Sequence, residues 1–385
     1  MTVLQKKWAY WKEKMAPYVL LAPFLFWFII FFGYAFIRVV YFSFTKYNLF
    51  DPPTFVGFKN YLDLFREYLF GVAFRNTLMY SIIVTTVQTI FALILAVVMN
   101  QKIKGIRFFR AAYYMPSVTS SVVITLIFIW LFQRKGLINY LVTLYHSYGK
   151  MIGVFFLLLI AMQALLVFKE KRQGRPVKYL EPSYLVLSIL FAAIVTYILR
   201  IMGYITVVDV KPVDIIWLNT REKVFGWLGP LSFARPLGAI MILNIWTTIP
   251  TFMLIYLAGL QDIPSSLYEA AEVDGANTWQ KFRYVTIPQL RHITFLVVTL
   301  GLIGTLQVFD QIAIVGDQAP LESIVTLAYY VYRNTFPSSA TPHAGMASAG
   351  AIVLALITLT LVLIRKKNIR RGERLIWPVL KRKKI

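Results

Sequence analysis

The sequence predicts an all-α polytopic membrane protein with eight spans and both termini on the cytoplasmic side. Of its 385 residues, 58% are hydrophobic and only 15% are charged, where a soluble domain carries about 25% charged residues. The apolar residues gather into runs of about 20, the length a helix needs to cross hydrocarbon. A chain in lipid must satisfy its backbone groups internally, and no period-two alternation marks barrel strands, so the runs are read as helices.

The first run, Tyr18–Phe42, follows Lys6, Lys7, Lys12 and Lys14 in the manner of a signal peptide. A secretory apolar region is about 7–15 residues long and ends at a small-residue cleavage site. Here FLFWFIIFFGYAFI continues with no such site, and reads as a retained first span. Thr77–Met99 and Ala111–Phe132 follow. Met151–Phe168 has 18 residues, close to the lower limit of about 17 for a span. Tyr184–Val208, Pro236–Leu260, Ile293–Val315 and Ala344–Ile364 complete the eight.

Orientation follows from the basic residues. With the N-terminus inside, segments 1–17, 100–110, 169–183, 261–292 and 365–385 hold 26 of the 40 Lys and Arg residues in 96 positions. The outer loops 43–76, 133–150, 209–235 and 316–343 hold 12 in 107. That is the positive-inside distribution, and it accounts for the net charge of +23 without nucleic acid. An odd number of spans would put either the N-terminal lysines or the C-terminal run RKKNIRRGERLIWPVLKRKKI outside.

The absence of cysteine rules out disulfides, thiolate metal sites and thiol nucleophiles. His146, His292 and His343 are too dispersed to form a ligand cluster. An intramembrane enzyme would need a nucleophile with a base, a metal cluster or paired carboxylates, and neither HExxH nor GxSxG occurs.

The inner loop 261–292 reads QDIPSSLYEAAEVDGANTWQKFRYVTIPQLRH. Ser265 or Ser266 is expected to cap a helix over Leu267–Val273, which Asp274-Gly275 then breaks, since glycine takes positive φ. A second short helix, Thr278–Tyr284, follows, and Pro288 is expected to open the next span. The loop should therefore form a helix–turn–helix knob on the cytoplasmic face.

Glu269-Ala270-Ala271, Asp274-Gly275-Ala276 and Val285-Thr286-Ile287-Pro288, in register between two spans, resemble the EAA loop of binding-protein-dependent ABC importer permeases. Asn244-Ile245-Trp246, YLAGLQDIPSSLYEAAEVDGA, LAPFLFWFIIFFGYAF, Phe55-Val56-Gly57 before Asn60-Tyr61, and Leu306-Gln307-Val308-Phe309-Asp310 resemble the maltose-type carbohydrate permease subfamily. The resemblance covers about 15–145 and 210–368. It implies that the loop is a coupling helix seated in a cleft of a separate ATPase, with Glu269 meeting a basic group and Gly275 allowing the close turn. The coupling set would be Glu269, Ala270, Ala271, Asp274, Gly275 and Ala276. It further implies a second permease chain, two ATPase copies, an extracytoplasmic solute-binding protein, and a bacterial or archaeal cytoplasmic membrane. The chain has no Gly-x-x-x-x-Gly-Lys-Ser/Thr loop, so ATP and Mg would belong to the partner ATPase, with no cofactor in this chain.

The family core has six spans and this chain has eight. The domains read as 1–145, the first half of the core; 146–212, an inserted transmembrane hairpin; 213–368, the second half; and 369–385, a basic tail. The hairpin turns at KEKRQGRPVKYLEPS, with Lys169, Lys171, Arg172, Arg175 and Lys178. It is expected to be a peripheral pair that enlarges lipid contact or braces the permease dimer.

Asn244, Thr247, Thr248 and Thr251 form an i, i+3, i+4, i+7 stripe around Pro250. Gly301, Gly304, Thr305 and Val308 repeat that spacing in the next span, with Gln307 beside them. Small residues leave room for a sugar ring and the Asn and Thr groups can bond its hydroxyls. The same stripes also suit tight helix packing, and both readings stand. Asp310 is the only acid in a span, Arg38 can snorkel near a span end, and Arg200 lies eight residues inside its span. That is too little for the acidic relay of a secondary transporter, the rival class. Glycerol phosphate esters are the alternative cargo, although no basic residue stands on either polar stripe.

Overall fold

The computed structural model describes residues 3–101, 105–173, 182–207 and 211–382. Two compact units emerge, Met1–Leu126 with Asn219–Ile385, and Ile127–Leu218.

The first unit opens with α1 (Val3–Phe28), which passes through a π-turn at Ile29–Gly33 into α2 (Tyr34–Ser43). This span is lipid-like along its length, with Leu20, Phe24, Phe28 and Phe32 all exposed. Arg38 lies 4.6 Å over the ring of Phe42 near its end. Two antiparallel residue pairs, β1 (Thr45–Lys46) on β2 (Thr54–Phe55), close the following turn. Next come α3 (Lys59–Arg66) and α4 (Tyr68–Met99). The helix begins nine residues before the expected Thr77, because Phe70 and Ala73 pack with Leu64 and Tyr330 beyond the apolar run.

The third expected span departs most from expectation. It is two helices, α5 (Ile106–Val118) and α6 (Ser121–Leu131), bent by 95° at the break. The cause is local: Pro116 cannot donate to the helix ladder, and the Ser and Thr residues around it bond the backbone instead. Ser117 Oγ donates to the Tyr114 carbonyl at 2.7 Å, and Thr119 Oγ1 to that of Met115 at 2.9 Å. Among the described residues, seven other helical segments are long and apolar enough to cross a membrane, and a count of eight requires this bent pair to be one span.

The second unit is mainly an antiparallel pair, α7 (Leu137–Arg172) and α8 (Pro182–Ile201). Ser188, Ala192 and Thr196 form a buried small-residue stripe, which lets the two helices approach closely. Ser188 Oγ donates to Gln163 Oε1 at 2.9 Å, and Tyr184 OH to Glu170 Oε1 at 2.6 Å. The base is stapled by Asn139, which donates to the Arg134 and Ile215 carbonyls and accepts from Trp217 Nε1. An Arg134–Asp214 ion pair at 2.7 Å lies beside it. The unit consequently extends outside the 146–212 insert. Helix α7 is twice the length expected of its span, and α8 stops at Ile201 rather than Val208, so Arg200 stands at a helix end. Arg175, Lys178 and Val208 lie outside the described residues.

The first unit resumes with β3 (Lys223–Val224) antiparallel to β4 (Phe233–Ala234), then α9 (Arg235–Gln261), which runs unbroken through Pro250. The inner loop holds α10 (Ser265–Val273), α11 (Thr278–Lys281), a π-turn over Phe282–Thr286 and α12 (Ile287–Gln289). Then α13 (Arg291–Leu306) breaks at 307–309 before α14 (Asp310–Val315), α15 (Leu321–Ile324) and α16 (Leu327–Thr335) lead to α17 (Ala344–Arg382). Helix α4 is the centre of this unit. Ala92, Ala96 and Met99 at one end pack with Phe252, Met253 and Tyr256 of α9 and Val297 of α13. At the other, Phe70 and Ala73 meet Leu306, Leu327, Tyr330 and Leu354.

Candidate functional site

Helix α10 begins after Pro264 with no side-chain cap, so neither Ser265 nor Ser266 plays the capping part expected of it: both are already inside the first turn. Its C-terminus is closed by backbone alone. Gly275 has φ of 77°, its N–H reaches the Glu272 carbonyl at 3.0 Å, and the Ala276 N–H reaches that of Ala271 at 2.9 Å. This pair of bonds is the Schellman closure, which needs a left-handed residue. Asn277 then caps α11 through a reciprocal box: its side chain accepts from Gln280 N at 2.9 Å, and its N–H donates to Gln280 Oε1 at 2.7 Å.

Two cross-links hold the helices of the knob together. Lys281 Nζ donates to Glu272 Oε2 at 2.9 Å, and Tyr268 OH and Thr286 Oγ1 are 3.0 Å apart. The hydrogen bond from Lys281, with its charge, holds the Glu272 carboxyl below the usual glutamate range. The outward face carries Glu269 and Ala270, with Val273, Trp279 and Tyr284 exposed at 88%, 68% and 73%. Large apolar groups on a polar knob mark an interaction surface. Pro288 sits in α12, not at the start of the span, which opens at Arg291.

The knob is anchored to the membrane helices beneath it. Leu290 is 1% exposed and packs in the core of α4, α9 and α13. Gly259 lies so close to α13 that a Cβ there would stand 2.7 Å from Ile293 Cγ1. Displacement of the knob would therefore be carried into α9 and α13.

Helix α9 also borders a cavity of about 270 Å³. Thr247, Thr248 and Thr251 line it, opposite Ser117, Thr119 and Ser121 at the α5–α6 bend and Gln311 of α14. Gln311 Nε2 stands 3.4 Å from Ser121 Oγ. The lining is rich in hydroxyls and carries no ionisable group. Asn244 is half-buried one turn away and accepts from Thr248 Oγ1 at 3.4 Å; it is not among the lining residues.

The second stripe divides. Gly301 and Thr305 face α4, where a Cβ on Gly301 would stand 2.7 Å from Gln88 Nε2. Thr305 Oγ1 lies 2.9 Å from Ser81 Oγ and 3.0 Å from Thr85 Oγ1. This face packs against α4. Gly304 and Gln307 are exposed, with open space around Gly304. Asp310 is the first residue of α14, where a helix N-terminus favours negative charge. The sequence alone did not single out Ser117, Thr119, Ser121 or Gln311, though the polar run PSVTSS inside an apolar stretch was the signal for the first three.

Helices of membrane-crossing length around a polar cavity, with an exposed knob between two of them, define a polytopic membrane transport component. Residues 88–371 match the family described as binding-protein-dependent transport system inner membrane component, and the chain belongs to that family. Relatives include the probable ABC transporter permease protein YurN of Bacillus subtilis (strain 168), 27% identical over 366 residues, covering 94% of this chain and 98% of the relative. The arabinooligosaccharides transport system permease protein AraP of the same organism is 27% identical over 360 residues, covering 93% and 90%. A bacterial ABC transporter involved in import of the acidic polysaccharide alginate contains a chain of the same fold, with a TM-score of 0.63 at 20% identity over 95% of this chain and 99% of that one.

Proposed function

We propose that this chain is the permease subunit of an ATP-driven importer for a neutral sugar or oligosaccharide, working in a bacterial or archaeal cytoplasmic membrane. The observation that carries the reading is the exposed knob built on Gly275 and anchored through Leu290 and Gly259 to α9 and α13. Glu269, Ala270, Ala271, Asp274, Gly275 and Ala276 would seat in a partner ATPase, Glu269 against a basic group and Val273 and Trp279 in an apolar cleft. Closure of an ATPase pair, which binds the ATP and Mg, pushes the knob, and α9 moves with it.

The path runs by Thr247, Thr248 and Thr251, with Asn244 one turn further along and the exposed Gly304 and Gln307 on the next span. Gly301 and Thr305 act by holding α13 on α4. Hydroxyl-rich lining suits saccharide hydroxyls, and the lack of a basic lining residue disfavours glycerol phosphate esters. The arabinooligosaccharides named for AraP support a saccharide cargo. An extracytoplasmic solute-binding protein would deliver it, the bent α5–α6 pair counts as one of eight spans, and both termini lie in the cytoplasm.

The test is reconstitution with a second permease chain and two ATPase copies, comparing wild type with Gly275→Val. A Cβ there meets no heavy atom within 4 Å, and a β-branched residue at left-handed φ carries about 1–3 kcal/mol of local strain. Membrane insertion and permease pairing should persist, while ATPase docking and ATP-driven uptake are lost. Normal uptake by that variant, or active transport by this chain without an ATPase, would overturn the assignment.

A further inference from the structure

The α7–α8 pair lines a groove of about 310 Å³. Its wall is largely apolar, from Ile152, Phe155 and Phe156 on α7 and Ala193 on α8, and three residues with polar groups interrupt it, Thr196, Tyr197 and Arg200. Thr196 is 4% exposed, and its hydroxyl has no hydrogen-bond partner among the described residues. Helical threonines ordinarily bond the carbonyl four residues back, as Thr143 does to Asn139 at 2.8 Å. An orphan hydroxyl in an apolar wall is costly unless something else meets it.

Arg200 lies one turn beyond Thr196 on the same face, exposed at the end of α8. Its height in the membrane follows from the register of the hairpin. Tyr184 on Glu170 marks the end that carries Lys169, Lys171 and Arg172. From Tyr184 to Arg200 the helix rises about 24 Å, close to the hydrocarbon thickness of about 30 Å. Two basic layers thus stand one bilayer core apart, and Arg200 belongs to the second, with Lys150 two residues before Ile152 on the facing helix. A cation at headgroup height, an unpaired hydroxyl one turn deeper and an apolar trough below follow the order of groups along a glycerophospholipid.

We propose that this groove is a binding site for an anionic phospholipid. The phosphodiester pairs with Arg200, Thr196 Oγ1 donates to a glycerol ester carbonyl, and one acyl chain lies along Phe155 and Ala193. An unassigned ligand of the hairpin thereby gives the insert a function of its own, an annular lipid held in place.

Native mass spectrometry of the full chain, released from detergent with phosphatidylglycerol or phosphatidylcholine of identical acyl chains, tests this. Phosphatidylglycerol should survive at collision energies that strip phosphatidylcholine. Arg200→Gln should lower its retention about fivefold, the factor one basic side chain supplies at an anionic surface, and Arg200→Lys should restore most of it. Ala193→Phe fills the trough and should abolish retention with Arg200 still present. Equal retention of the two lipids, or unchanged phosphatidylglycerol retention in Arg200→Gln or Ala193→Phe, would overturn the site. Added phosphatidylglycerol should also raise the melting temperature of the wild type and leave that of Arg200→Gln unmoved, a readout that requires each protein to be folded.

Discussion

Gln88 is fully buried in α4, and neither end of its amide finds a hydrogen-bond partner among the described residues. It fills the hollow left by Gly301, in line with Ser81 and Thr85, which are satisfied through Thr305. A buried amide left unpaired costs about 1–3 kcal/mol, whereas an apolar side chain of similar length does not. Gln88→Met should therefore stabilise the chain by that amount, seen as a higher melting temperature in detergent. A fall in melting temperature would mean that the amide has a partner in the folded protein, such as a buried water.

The break between α5 and α6 and the α7–α8 hairpin are the elements on which topology turns. Because the chain has no cysteine, single cysteines report sidedness cleanly. Cysteine at Lys171 or Lys366 should be labelled only from the cytoplasm, and cysteine at Lys59 or Arg221 only from outside. External labelling at Lys171 would mean that α7 and α8 do not cross. Reversed sidedness at Lys59, with Lys171 and Arg221 unchanged, would show that the bent α5–α6 pair re-enters on one side instead of crossing.

At the scale of the whole molecule, the second unit carries its own closure. Asn139 bridges to Ile215 and Trp217, Thr143 Oγ1 accepts from Val213 N at 2.9 Å, and Phe132 and Trp217 rings stand 5.4 Å apart. These contacts all lie at the base of the hairpin, so the remainder can be excised without cutting them. Replacing residues 148–206 by a short glycine-serine linker should leave membrane insertion and ATP-driven uptake of the remaining chain within about twofold of wild type, because loop-closure cost grows slowly with length. Loss of uptake with insertion intact would assign the hairpin a direct part in transport or in pairing with the second permease.

Much was legible along the chain because its causes are local. Apolar run length sets which segments suit lipid, basic residues mark the loops, and Glu269 to Gly275 spell a helix and its left-handed stop within seven positions. The sequence by itself thus determined the class of fold, most of the long apolar helices and the existence of the knob. Tertiary structure alone decided which polar face is packing and which is open. Gly301 and Thr305 share a spacing with Thr247 and Thr251, yet the former face α4 and the latter line the cavity beside α9. It also decided that α4 extends back to Tyr68 and that Thr196 and Arg200 share a groove with Phe155. Each of these depends on contacts between residues far apart in the chain, such as Ser81 with Thr305 across 224 positions. Periodicity specifies only that a helix has a polar face, and the partner that meets that face is chosen by packing.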